Sequence, residues 1–241
     1  MAADTPIDMS LWQGRTDPEP DSDRWHQRIE PLASNAVPGC VLLGFESDAG
    51  VARNQGRTGA AEGPNALRRA LAPLAWHRTA PAYDAGNVRC VDDGLEAAQQ
   101  TLADRLTSLL TAGHLPIVLG GGHEVAYASW LGLAQSCMPK TAPPRIGIIN
   151  LDAHFDLRDP AHIRSSGTPF AQIADKCQEW GWSFRYACLG VSRAANTRAL
   201  FTRAAALGTL VREDREIDAL RLDSIVRDVQ RFIAKCDHIY L

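Results

Sequence analysis

From residue 40 onward the chain repeats one pattern: a short continuous apolar run, a break rich in glycine or aspartate, then a longer stretch with apolar residues three and four apart. The runs Cys40–Phe45, Ala82–Ala85, Leu115–Leu119, Arg145–Ile149, Arg185–Leu189 and Thr209–Arg212 predict strands. The stretches between them predict helices opening at Gly63-Pro64 and spanning about 95–112, 125–134, 169–180, 196–207 and 217–235. In the stretch 95–112, Leu95, Ala98, Leu102, Leu106 and Leu109 keep helical spacing, Asp92 and Asp93 favour its N-terminus, and Gly113 stands at its C′ position. The strand, loop, helix rhythm predicts an α/β fold with a mostly parallel sheet and helices on both faces.

Two stretches depart from that rhythm. Residues 1–38 carry many Asp, Pro and Ser residues with Trp12, Trp25 and His26 among them and show no sustained period, so they are expected to form an N-terminal arm that docks through its tryptophans. Residues 39–241 are then the α/β domain. At its end His238-Ile239-Tyr240-Leu241 reads as the beginning of another buried strand, where a terminal carboxylate would be costly to bury. The expectation is a domain whose C-terminal part is missing.

Length and charge narrow the function classes. At 241 residues with 45% hydrophobic residues, the chain can build one large core or two small ones. A formal net charge of −3 supplies no basic face for nucleic acid. No apolar run approaches the roughly 20 residues of a membrane span, and the N-terminus lacks the basic and apolar parts of a signal peptide, so a cytoplasmic protein is expected. Cys40, Cys90, Cys137, Cys177, Cys188 and Cys236 are scattered, with no C-x-x-C pair, as suits reduced thiols packed as small hydrophobes. A cysteine nucleophile paired with a histidine is the alternative, and nothing in the spacing supports it.

The chemistry concentrates after the run ending at Ile149, in Asn150-Leu151-Asp152-Ala153-His154-Phe155-Asp156. Continued strand geometry would aim Asp152, His154 and Asp156 to one side and Ala153 and Phe155 to the other. Two carboxylates and an imidazole without a thiolate suit a hard to borderline divalent ion such as manganese. The plain alternative is an aspartate-rich, solvated turn, which the third ligand-type residue at the same alternation disfavours. Upstream, Gly120-Gly121-Gly122 lets the backbone turn tightly and delivers His123 between a strand end and a helix start, a candidate fourth ligand beside Glu124. A phosphate cradle there would need a G-x-G-x-x-G or G-K-[ST] pattern, which is absent. The loop from Glu46 to Glu62 sets Arg53 and Arg57 among glycines, where they could hold a carboxylate or simply be solvated.

At these residues the chain resembles the ureohydrolase family, which includes arginase and agmatinase. Gly120-Gly121-Gly122-His123 matches the family's Gly-Gly-x-His turn, and Asp152 to Asp156 matches its Asp-Ala-His-x-Asp signature. The resemblance covers about residues 40–241. It implies an arginase-like three-layer α/β fold and two Mn2+ ions per full-length subunit, ligated in part by His123, Asp152, His154 and Asp156. It also implies that Asp156 hydrogen-bonds a bridging hydroxide, and that the protein is a homo-oligomer, a trimer or hexamer.

Within the family, residues 50–57 with Gly63-Pro64, Tyr83–Asn87, Asp156-Leu157-Arg158, Ser165–Phe170 and Cys188–Ser192 with Asn196-Thr197 resemble the branch acting in histidine degradation. That branch hydrolyses N-formimidoyl-L-glutamate to L-glutamate and formamide. Ser166 stands where agmatinase-like sequences carry histidine, which removes a proton shuttle. A dianionic substrate needs cationic forks, and Arg57 and Arg158 are the candidates, with Ser166 beside them. The family's third signature, an Asp-x-Asp pair, would follow Leu241, so the second ion is expected to be weakly held in this chain. Two alternatives stand: a hydrolase of another guanidino compound such as guanidinobutyrate or agmatine, and a non-catalytic truncated member.

Overall fold

The computed structural model describes residues 2–138 and 142–241. The chain divides into two units, the first ending at Gly132 and the second beginning at Leu133. In order, the first contains β1 (Ala2–Thr5), α1 (Trp25–Arg28), β2 (Ile29–Pro31), β3 (Cys40–Glu46), α2 (Ala49–Arg53), α3 (Gly63–Leu71), β4 (Ala82–Cys90), α4 (Leu95–Thr111), β5 (Leu115–Leu119) and the start of α5 (Val125–Ser136).

The first sheet has the order β1-β4-β3-β5, with β2 also pairing with β4. β3 lies parallel to both β4 and β5, and β1 alone runs antiparallel, Ala2 opposite Cys90. Every residue of β3 is buried, as a parallel strand covered on both faces requires. Its period-two alternation feeds two cores. Val41, Leu43 and Phe45 pack with Leu95, Ala98, Leu102, Leu106 and Leu109 of α4, while Cys40 and Leu42 pack with Trp12, Ile29 and Ala72. Each leucine that α4 buries contributes about 1.5–3 kcal/mol of transfer free energy.

Two features of this unit escape hydrophobic patterning. β4 runs on to Cys90, well past the predicted Ala82–Ala85, through the polar residues Asp84, Gly86 and Asn87. The reason is Arg68 of α3. Its Nε and Nη2 donate to Asp84 at 2.7 and 2.8 Å and its Nη1 to Asn87 Oδ1 at 2.7 Å, with Trp12 Nε1 donating to Asp84 at 2.8 Å. A fully satisfied buried network lets polar residues occupy a central strand. Within the N-terminal 38 residues, where no period is visible, β1 and β2 are short edge strands fixed by the ladder of β4.

The second unit contains β6 (Ile146–Leu151), α6 (Pro169–Trp180), β7 (Tyr186–Val191), α7 (Arg198–Ala206), β8 (Leu210–Glu213), α8 (Leu222–Ile233) and β9 (His238–Tyr240). Its sheet has the order β8-β7-β6-β9 and is parallel throughout. Ile149, Ala187 and Leu189 pack against Val229 and Phe232 of α8. From the alternate position, Tyr186 stacks on Phe170 of α6 with ring centroids 4.5 Å apart. Helices therefore cover both faces of this sheet too. α8 begins later than the predicted residue 217, because Asp218 Oδ1 accepts the backbone N–H groups of Leu220 and Arg221, both at 2.9 Å, and holds those residues in a turn. Among the described residues no helix is long and apolar enough to cross a membrane.

Candidate functional site

The glycine turn after β5 is built by close approach. A methyl group on Gly121 would lie 2.4 Å from the Ser47 carbonyl oxygen and 2.7 Å from that of Phe45, so only glycine fits. Gly122 donates its N–H to Ser47 O at 3.0 Å. The fully buried Glu124 completes the join: its Oε1 accepts from Ser47 Oγ at 2.9 Å and from the Gly50 N–H at 3.0 Å. Burial pushes the Glu124 carboxyl above the usual range, against the lowering effect of those hydrogen bonds. The loop after β3 and the turn after β5 are thus fastened to one another, with His123 half-buried at the end of the turn. In the sequence Glu124 stands out only as a neighbour of His123; its role as the fastening follows from its burial.

On the loop after β3, the two arginines have separate fates. Arg53 lies in α2 and pairs with Asp93 at 2.8 Å and Glu96 at 2.7 Å, at the start of α4. Arg57 is exposed in the segment between α2 and the 3-10 turn at Ala60–Glu62.

In the second unit β6 ends at Leu151, so the expected strand geometry does not continue through the Asp-Ala-His-Phe-Asp segment. Residues 152–156 form a turn instead, and Asp156 adopts φ +46°, a left-handed conformation that aspartate tolerates better than most residues. The Asp152 carboxylate accepts the His154 N–H at 3.0 Å, and His154 Nδ1 lies 3.4 Å from the same oxygen. Alternation survives in part as a burial pattern: Phe155 and Leu157 are buried, Asp152 and Asp156 half-buried, and His154 exposed, but Ala153 is exposed as well.

The turn is held from β7 and the residues after it. Asp152 N–H donates to Leu189 O and Ser192 N–H to Ala153 O, both at 3.0 Å. Tyr186 Oη donates to Phe155 O at 3.0 Å and itself accepts from Asn150 Nδ2 at 3.1 Å. Cys188 Sγ donates to His154 O at 3.3 Å. The Asn196 amide binds three further backbone groups, the carbonyls of Ala153 and Ser192 and the N–H of Phe155. Burial pushes the Cys188 thiol up to about 12, so it serves as a packed donor and not as a nucleophile.

The loop that follows carries the other candidates. Arg158 donates its N–H to Gly167 O at 3.0 Å, which closes the neck of the loop and sets the exposed Arg158 across from half-buried Ser166. Buried Ser165 anchors the neck: its N–H donates to Thr168 Oγ1 at 2.9 Å, and its Oγ accepts the Gly167 N–H at 3.3 Å. Arg203 of α7 donates to Leu157 O at 2.7 Å. Tyr186 and Arg203 carry no motif of their own and were invisible in the sequence. Asn196 was visible only as part of a family likeness.

Comparison with known proteins gives a consistent result. The sequence profile of the arginase family matches residues 38–241. A formimidoylglutamase of Aeromonas hydrophila is 51% identical over 241 residues, covering 98% of this chain and 76% of that protein. One from Chromobacterium violaceum is 50% identical over 237 residues, covering 98% of this chain and 75% of its own length. Among solved structures, Trypanosoma cruzi formiminoglutamase with Mn2+ superposes with a TM-score of 0.69 at 25% identity, covering 82% of this chain and 66% of that one.

Proposed function

The chain belongs to the arginase family, and from that premise we propose that it hydrolyses N-formimidoyl-L-glutamate to L-glutamate and formamide with the help of manganese. The observation that carries the reading is the turn after β6. Asp152, His154 and Asp156 project from a backbone whose carbonyls at residues 153–155 are all engaged by Asn196, Cys188 and Tyr186. The relatives' shared activity supplies the substrate.

The donor set fits the metal. Carboxylate and imidazole groups without thiolate suit Mn2+, and Asp152, His154 and Asp156 offer such groups from one turn. We assign His123, Asp152, His154 and Asp156 as the residues that would hold it, with two ions as the proposed complement. Ions bound there would supply a nucleophile at neutral pH by lowering the pKa of water, and would stabilise developing charge.

The chain's own residues do the rest. Asp156 would accept a hydrogen bond from the attacking water and orient it toward the formimidoyl carbon. Addition gives a tetrahedral carbon, whose bond to the glutamate nitrogen then breaks; that nitrogen leaves with a proton as the amine of glutamate, and formamide remains. Arg57 and Arg158 would hold the two substrate carboxylates as charge-assisted forks, and Ser166 would offer a hydroxyl in the loop neck. Among the described residues all six cysteines are free, which supports a reducing, cytoplasmic setting.

The test is formamide release from N-formimidoyl-L-glutamate in the presence of Mn2+, beside agmatine and guanidinobutyrate. Turnover of the first alone supports the reading, and turnover of a guanidino compound alone overturns it.

A further inference from the structure

The amide of Asn196 matches the backbone of the Asp152–Asp156 turn group for group. Its Oδ1 accepts the Phe155 N–H at 3.1 Å, and its Nδ2 donates to Ala153 O and to Ser192 O, each at 2.8 Å. A carboxamide offers its acceptor and two donors in one rigid plane. Here that plane grips the chain on both sides of His154. The side chain is only 8% exposed, and both Nδ2 protons are committed to backbone carbonyls. Asn196 therefore acts through the turn and has no donor left for a substrate.

The neighbouring contacts make this grip specific. Tyr186 and Cys188 engage the carbonyls of Phe155 and His154 from β7, but Asn196 alone among these three side chains also fixes an N–H of the turn. A carbonyl partner and an N–H partner two residues apart define the orientation of the intervening peptide groups, which carry the Cα of His154. The side chain also ties the turn to Ser192, at the exit of β7.

We propose that Asn196 is a positioning residue that presets the 152–156 turn for metal uptake, an inference that rests on the metal-binding reading of that turn. Groups that orient metal ligands without touching the ion change affinity or activity by about 10–100-fold when removed. A residue needed only for folding would lower stability and leave affinity where it was.

The experiment uses the 241-residue chain with three substitutions: Asn196→Ala, Asn196→Asp, and Val229→Ala in the α8 core as a stability control. Three quantities are read: the Mn2+ Kd by calorimetric titration, the thermal midpoint, and the exchange rate of the Phe155 amide proton. Asn196→Ala is expected to weaken Mn2+ binding about 10–100-fold and to speed Phe155 exchange. Asn196→Asp keeps an acceptor for Phe155 but sets a carboxylate oxygen against two carbonyls. It is expected to weaken Mn2+ binding while Phe155 exchange stays slower than in Asn196→Ala. Val229→Ala is expected to lower the midpoint and leave the Kd unchanged.

The proposal is overturned if both Asn196 variants bind Mn2+ as tightly as the unsubstituted chain, or if their loss of affinity is no larger than that of the control at a matched midpoint. If the unsubstituted chain takes up no Mn2+, the metal reading itself fails and this inference falls with it. That outcome is recognisable because every chain is then silent in the titration while Phe155 exchange still responds to Asn196→Ala.

Discussion

Gly50 and Glu124 compete for one volume: a methyl group on Gly50 would lie 2.4 Å from the Glu124 carboxyl carbon, and the Gly50 N–H donates to Glu124 Oε1 at 3.0 Å. Gly122 stands in the same relation to the other carboxyl oxygen, at 2.1 Å. Two glycines and one buried carboxyl thus form a single fitted joint between the loop after β3 and the turn that ends in His123. Gly50→Ala is expected to cost about 1–3 kcal/mol by overpacking. In a Glu124→Ala background the same change should cost less, because the carboxyl group is gone and only the Cβ of residue 124, at 2.7 Å, still crowds the added methyl. A double-mutant cycle by urea denaturation checks this, and additive effects would mean that the two residues are not coupled.

Arg68 and Asp84 form a buried ion pair, with side chains 2% and 1% exposed. Removing one partner of such a pair strands the other, at about 3–5 kcal/mol. Arg68→Met is therefore expected to destabilise strongly, and Arg68→Met with Asp84→Leu less than Arg68→Met alone. Chemical denaturation of both variants beside the unsubstituted chain decides it. Equal losses in the single and double variants would show that the stranded Asp84 carboxylate costs no more than the Trp12 and Gly86 donors that Asp84→Leu leaves unpaired.

What the sequence reveals and what it hides divide along this line. The spacing of Leu95, Leu102 and Leu109 declares α4 because burial against β3 repeats with the helix period. Asp84 and Asn87 conceal most of β4 because their partner, Arg68, lies in a different element and no local pattern announces it. The candidate site divides similarly. Asp152, His154 and Asp156 are legible as ligand types, but the turn that carries them is set by residues 31 to 43 positions downstream. Left-handed Asp156 and the Asn196 amide belong to that tertiary arrangement, which strand alternation does not describe.

Asp237 gives a pH signature in the second unit. Arg145, through its side chain and backbone N–H, holds the Asp237 carboxyl down to about 2, below its ordinary 3.8. A carboxyl lowered in the folded state contributes stability above its unfolded pKa and loses it as pH falls through the folded one. The contribution should therefore be intact above about pH 4 and fade toward pH 2. Arg145→Gln is expected to return Asp237 toward the ordinary range, read from its carboxyl resonance in an acid titration. An unmoved titration would remove Arg145 as the cause.

Arg158 is the sharpest test of how the substrate would be held. It is exposed, and its backbone is pinned to Gly167 at the neck of the loop, so its side chain can be shortened or neutralised without disturbing the core. A hydrogen bond to a charged group is worth about 1.5–3 kcal/mol, which corresponds to roughly 10–150-fold in kcat/KM. Arg158→Met is expected to lose that much with N-formimidoyl-L-glutamate, mainly through KM, because a carboxylate remote from the reacting carbon is bound alike in ground and transition states. Arg57→Met should behave the same way if it holds the second carboxylate. Ser166→Ala, which removes a hydroxyl and no charge, should cost less. The decisive comparison is with a formimidoyl amine lacking carboxylates. Wild-type and Arg158→Met should turn it over at similar rates, and a full loss with that compound too would mean that Arg158 serves the chemistry and not the recognition of charge.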